Sequence, residues 1–298
     1  MFKIQLPANV FEDELFKFIS TLGKGNNHTE IVLDFKNVTH YIPAATVAMV
    51  TAITQWKKSG KKIRLKNHAK CKAHHYLQRM EFFKRCGIKH KELIIKQEKV
   101  DRFVPIKDFE NVSLLAAEIA QNITRDDQEG SDTDDDTGVK DCIEYVITQL
   151  GNNVSKHSDG NGFVTAQYHA NKDIVRVVVA DNGMGIRDSF SDTSYNTELA
   201  TDLAAVVKSL VSGISSKKSA ATDGDLNSDG IGLANVCALA TKIEGDFILI
   251  SGRAYVTSDE QRELLEEFRF NGTLAAFSFK RSRIKTLDVS EIIQAASK

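Results

Sequence analysis

Several features are scarce or missing from this chain, and each absence narrows its function. Net charge is only −1, so no overall field draws it to an anionic or a cationic partner. The four cysteines, Cys71, Cys86, Cys142 and Cys237, are widely spread and form no C-x-x-C pair. That spacing argues against a disulfide framework or a zinc site and predicts buried, reduced thiols. No stretch approaches the ~20 apolar residues that a membrane helix needs. The opening run MFKIQLPANVFEDELF carries acidic residues where a secretion signal would be apolar, which predicts a cytoplasmic protein. The G-x-G of Asp229–Asn235 lacks the Lys-Ser or Lys-Thr ending of a P-loop, which excludes that reading of it. Internal repeats are lacking as well.

What is present is ordinary globular material, 42% hydrophobic and 27% charged over 298 residues. Such a length favours two domains. The balanced total conceals opposed halves. Residues 1–105 hold 20 Lys and Arg against 9 Asp and Glu, whereas residues 106–298 hold 19 against 31. Two units that attract each other, or a basic unit with an anionic partner, would produce this pattern.

In the first half, strands are expected at Glu30–Phe35, near Tyr41, at Lys62–Lys66 and at Leu93–Gln97. An amphipathic helix is expected at Ala44–Trp56, and a second helix at Lys72–Cys86 closed by Gly87. This alternation predicts a small α/β domain over 1–105. Pro105 lies near the boundary, and a helix follows at Val112–Ile123. The run 126–138, DDQEGSDTDDDTG, cannot bury apolar surface and reads as a solvated acidic loop. It lacks the ligand positions and closing glutamate of an EF-hand. Beyond it, helices are expected at Val139–His157, 197–211, Ile231–Ile243 and Asp259–Phe268, with a further short one at 288–297. Strands are expected at Gly162–His169, Ile174–Ala180, Phe247–Ile250 and Thr273–Lys280, and a mobile loop at Gly213–Ser228.

Four segments of the second half carry chemistry. VRVVVA ends on Asp181, followed by Asn182, Gly183, Met184, Gly185 and Ile186. A carboxylate at a strand end accepts hydrogen bonds without donating, which suits the exocyclic amine of adenine, and the glycines let backbone approach a ligand. Asp229-Gly230-Ile231-Gly232-Leu233 opens a helix whose free N–H groups favour phosphate. On an earlier helix, Gln149 and Asn153 share a face, four residues apart. An amide oxygen there suits Mg²⁺, which takes oxygen ligands and completes its shell from phosphates; Lys156 or His157 would approach phosphate. Finally, Gly272-Thr273 opens the last strand. Taken singly, each has a plain alternative: a strand–turn, a helix start, a polar helix face or a β-branched strand residue.

In order and spacing together, these segments resemble the superfamily that unites gyrase, heat-shock ATPases, histidine kinases and mismatch-repair ATPases, over about residues 140–280. Asn153 matches its asparagine box, Asp181, Gly183 and Gly185 its first glycine box, and Gly230 and Gly232 its second. Thr273 matches the Gly-Thr of its last core strand. The resemblance implies a Bergerat two-layer α/β sandwich with a mixed sheet over 106–298. It also implies ATP held between helices and sheet, Mg²⁺ on Asn153 and an ATP lid at about 187–229. Gly213-Ile214-Ser215-Ser216-Lys217 looks like the lid segment before the second glycine box. Lys217 or Lys218 then contacts the γ-phosphate or stays a solvated surface lysine.

One position departs from that family. Its general base is a glutamate four residues before the asparagine; here Gln149 stands there, and an amide takes no proton at neutral pH. Glu144 lies about 180° around the helix from Asn153. Slow turnover is expected. His74 and His75 lack the following acidic residue of a phosphoacceptor helix, so histidine autophosphorylation is not expected. Residues 30–95 resemble a STAS domain, the module of anti-sigma-factor antagonists. That family's phosphorylatable serine is absent from Pro43-Ala44-Ala45-Thr46, and Thr46 falls inside the helix. The basic run from Lys57 through Lys61, Lys62, Arg64, Lys66 and Lys70 to Lys72 reads as a solvated face, a dock for the acidic half, or a nucleic-acid surface. The leading expectation is an ATP-dependent switch with a protein partner; a serine/threonine kinase or ATPase and a nucleic-acid-binding regulator are the alternatives.

Overall fold

The computed structural model describes residues 1–90, 102–109, 111–125, 136–157, 160–191, 193–194, 198–212, 214, 232–264, 269–284, 288 and 291–292. The expected strand at Leu93–Gln97 lies outside them. The chain is α/β, as expected.

The N-terminal elements are β1 (Phe2–Gln5), β2 (Asn9–Val10), α1 (Leu15–Gly23), β3 (Glu30–Asp34), β4 (His40–Tyr41), α2 (Pro43–Lys58) and β5 (Lys62–Lys66). Strands β1, β3 and β5 form a parallel sheet in the order β1-β3-β5, and β2 pairs with β4. The one helix expected over Lys72–Cys86 is two, α3 (His74–Arg79) and α4 (Phe82–Arg85). Glu81 between them adopts φ +54°, a left-handed conformation that no helix accommodates.

The rest comprises β6 (Phe103–Asp108), α5 (Val112–Thr124), α6 (Thr137–His157), β7 (Gly162–His169), β8 (Ile174–Asp181), α7 (Ile186–Ser189) and α8 (Asp202–Ser209). They are followed by α9 (Gly232–Lys242), β9 (Asp246–Gly252), β10 (Ala254–Thr257), β11 (Gln261–Glu263), β12 (Phe270–Lys280) and α10 (Arg281–Ile284). Seven strands make one sheet in the order β11-β10-β9-β12-β8-β7-β6. Every pairing in it is antiparallel, which corrects the expected mixed sheet. Strands β8 and β9 run parallel, but β12 inserts between them, so the parallel pair never touches. The helix expected over Asp259–Phe268 is also corrected. Residues 261–263 form edge strand β11 against β10, and Leu264 is buried there, its N–H donating to Arg253 O at 2.7 Å.

Asp136 corrects the expected extent of the acidic loop. Its carboxylate is hydrogen-bonded by Arg281, with Nε–Oδ1 at 3.0 Å, and Thr137 and Gly138 already belong to α6. Residues 126–135 lie outside the described residues.

Alternation along the strands sends side chains to both faces of the large sheet. On one face Val177, Val179, Leu249, Ala275 and Phe277 pack under α5, α6 and α9. On the other, Phe163, Val178, Ala180, Ile248, Ile250 and Leu274 join the core of the N-terminal elements. The element that covers them is α2. Eleven of its residues are buried, among them Ala44, Val47, Ala48, Met49, Ile53 and Trp56. It is therefore apolar nearly all round rather than amphipathic, because it lies between two sheets. The boundary expected at 105 falls inside β6, a strand of the large sheet.

Candidate functional site

The site expected in the sequence sits where β8 ends. Asp181 is the last residue of that strand, paired with Gly162 of β7 and Thr273 of β12. It is buried at 4% exposure, and its Oδ1 accepts the Gly183 N–H at 2.9 Å. This closes the turn that carries Met184, which is exposed, toward α7. Gly272 makes the close approach possible. It adopts φ +89°, and a Cβ there would stand 2.0 Å from the Asp181 carbonyl oxygen. Gly160 is similarly constrained, its Cβ position being 2.5 Å from Gly183 N.

Ser251 of β9 knits these pieces and was not legible in the sequence. Its hydroxyl donates to Gly272 O at 3.0 Å, accepts the Ile186 N–H at 2.8 Å and lies 3.1 Å from Thr273 Oγ1. Gly185 sits against it, a Cβ there falling 3.2 Å from Ser251 Oγ. Thus Ser251 ties Ile186, Gly272 and Thr273 together with Gly185 packed against it, while Gly183 bonds directly to Asp181. Asn182 was also missed as a functional candidate. Buried, it accepts the Asn161 N–H at 2.8 Å through Oδ1 and donates through Nδ2 to Thr54 Oγ1 of α2 at 3.0 Å. The residue beside Asp181 is therefore tied directly to the N-terminal elements.

Helix α6 crosses above this strand end. Val154 packs on Gly162, whose Cβ position lies 2.5 Å from Val154 Cγ1; Asn153, the residue before it, is half-buried. One turn earlier, Gln149 reaches α9, its Oε1 lying 2.7 Å from the Cβ position of Gly232. Glu144 faces away and meets Lys140 at 3.8 Å. Leu233 and Ile186 are half-buried against the core. His157 closes α6, its side chain outside the described residues, as are Gly230, Lys217 and Lys218. Of the expected lid, α7 and α8 lie in the described part. Asp202 anchors α8, its buried carboxylate accepting the Arg253 N–H at 2.9 Å beside Gly252 at φ +60°. Among the described residues no group of three His, Cys, Asp or Glu is placed to hold a metal ion.

In the N-terminal elements, Asp34 accepts from Lys36 N at 3.0 Å and Asn67 Nδ2 at 2.6 Å, and pairs with Lys3 at 2.7 Å. The Lys3 ammonium, with these hydrogen bonds, holds its carboxyl down at about 2 against the opposing effect of burial. Thr46 is fully buried and bonded to Ile42 O at 3.3 Å, which removes it from any modifying enzyme. Three lysines of the basic run are already engaged. Lys57 binds Cys86 O at 2.6 Å, Lys61 binds His28 O at 2.9 Å, and Lys62 meets Glu30 at 3.5 Å. The four cysteines are free thiols, and burial raises each above its usual range.

No protein-family model matches the chain, and neither the curated proteins nor the solved structures yield a match. Among the described residues no helix is long and apolar enough to cross a membrane.

Proposed function

We propose that this chain is a cytoplasmic ATP-binding regulatory protein of the gyrase and histidine-kinase superfamily, a nucleotide-dependent switch that turns ATP over slowly or not at all. The observation that carries this reading is convergence. Segments around residues 162, 182, 251 and 272 meet at one end of the seven-stranded sheet around Asp181, and Val154 of α6 packs on the first of them. Its carboxylate already accepts one N–H, so it is oriented as an acceptor, the role that reading an adenine amine requires. Gly232 opens α9 close against the Gln149 side chain, and the helix N–H groups that start there would take phosphate. Asn153, half-buried on α6, would supply an oxygen to Mg²⁺ together with the phosphates.

The switch part of the reading rests on Asn182 and Thr54. A change at the Asp181 turn is one hydrogen bond from α2, and α2 is packed against both sheets. Ordering of the lid by nucleotide would then alter how the N-terminal elements meet a protein partner. Gln149 argues against the kinase and ATPase alternative, because no carboxylate replaces it on its face of α6.

Calorimetric titration of the intact protein with ATP and Mg²⁺, followed by product analysis over hours, tests both parts. Saturable binding with turnover well below about 1 s⁻¹ is expected. The substitution Gln149→Glu is expected to raise turnover. Fast hydrolysis by the natural protein would overturn the slow-turnover part, and an absence of binding would overturn the whole reading.

A further inference from the structure

A cavity lies along β8 away from Asp181, lined by Arg176, Val177 and Val178. Arg176 lines it and precedes Asp181 by five residues, which places it about 17 Å along the strand. Its volume is about 370 Å³, enough for a small organic molecule. Strand register explains why the space exists. Val178, Ala276, Ile248 and Thr257 stand side by side across four strands, and the central one, Ala276, is the smallest. Ile42 and Ala44, at the start of α2, close the apolar wall opposite.

The polar groups around this floor are nearly all of one sign. Glu12, Asp13, Asp246, Asp259 and Glu260 line the cavity, and among the described residues Arg176 is its one basic lining residue. Arg176 is already committed to Glu12, through Nε at 2.8 Å and Nη2 at 2.6 Å. Glu260 meets Arg262 at 2.5 Å, and Asp246 accepts from Ser278 Oγ at 3.3 Å. Asp13 and Asp259 stand exposed at the rim, and neither carboxylate has an ion-paired or hydrogen-bonded partner among the described residues. Tyr255 adds an independent observation. It lines the cavity and is only 3% exposed, yet its phenol has no hydrogen-bond partner among the described residues.

We propose that this cavity binds a small organic cation, an amine carried on an apolar body. The ammonium's three donors would be shared between the unpaired carboxylates and the Tyr255 oxygen, while the body covers Val178, Ala276 and Ile248. An anion or a phosphate would meet the wrong sign of field. The site lies between the N-terminal elements and the large sheet, so its ligand would touch both.

The test is calorimetry on the full chain at low salt with phenethylamine and its neutral isostere 2-phenylethanol. The amine is expected to bind saturably and at least about tenfold more tightly than the alcohol. Ala276→Leu, which fills the floor, is expected to abolish amine binding. The double substitution Asp13→Asn with Asp259→Asn is expected to weaken it at least about tenfold and decides the matter if the leucine variant does not fold. Equal affinity for amine and alcohol would overturn the proposal, as would no saturation by about 10 mM amine. Amine binding that survives the charge substitutions unchanged would do the same.

Discussion

At the scale of single residues, glycine and serine matter here as much as the carboxylate. Gly272 is held at a positive φ with Asp181 O where a Cβ would stand. Gly272→Ala combines backbone strain with a clash against rigid main chain, and is expected to cost roughly 2–4 kcal/mol in a urea melt. A loss below about 0.5 kcal/mol would mean that the turn relaxes freely. Asp34 gives a pH signature. Its folded-state value is depressed to about 2 from an ordinary 3.8, so its contribution is fully present above pH ~4 and is lost as pH falls through about 2. Asp34→Asn should therefore lower stability at neutral pH and flatten its decline between about pH 4 and 2. An acid limb identical to that of the unsubstituted protein would contradict the pairing with Lys3 and Asn67. Asp181, its neighbouring glycines and Thr273 were legible because their chemistry is carried by residue type and spacing. Ser251 and Asn182 were not, since a serine inside a strand and an asparagine in a turn acquire their partners only through strand register.

Among the elements, the central finding is the position of α2. From sequence it reads as an ordinary amphipathic helix, because two-sided burial is a property of its neighbours. Pro43 at its start and Lys57 and Lys58 at its end mark its limits clearly. Strand β1 and helix α1 went unread, although Leu15, Phe18, Ile19 and Leu22 of α1 repeat at helical spacing, and β6 went unread beside Pro105. The segment 259–264 misleads because QRELL has strong helix formers, which edge pairing with β10 and burial of Leu264 override. The Asn182–Thr54 bond links α2 to the turn after β8. Thr54→Val keeps the shape and removes the acceptor of a buried amide, so a loss of about 1–3 kcal/mol is expected from chemical denaturation. If the link also carries the switch, nucleotide affinity should change in that variant by more than the turn's own stability explains. Unaltered affinity together with unaltered stability would remove Thr54 from the account.

For the whole molecule, the opposed charges of the two halves were read as two mutually attracting units or as a basic unit with an anionic partner, and the apolar union could not be foreseen. The N-terminal core and one face of the seven-stranded sheet form a single hydrophobic cluster, running from Ile4 and Trp56 to Ile248 and Leu274. Units joined in this way should unfold together. Scanning calorimetry is expected to show one transition whose calorimetric and van't Hoff enthalpies agree, and two resolved transitions would contradict a shared core. Association of helices with a sheet was expected and found, whereas the antiparallel order was not, because the insertion of β12 between β8 and β9 leaves no local mark in the chain.

The central claim concerns what the buried carboxylate at the end of β8 is for. Titrating ATP with Mg²⁺ into the natural protein and into the Asp181→Ala variant, each first confirmed folded by circular dichroism, puts it to the most direct test. Saturable binding by the natural protein and at least about a tenfold loss in the variant are expected. Equal affinity in the two proteins would contradict the account.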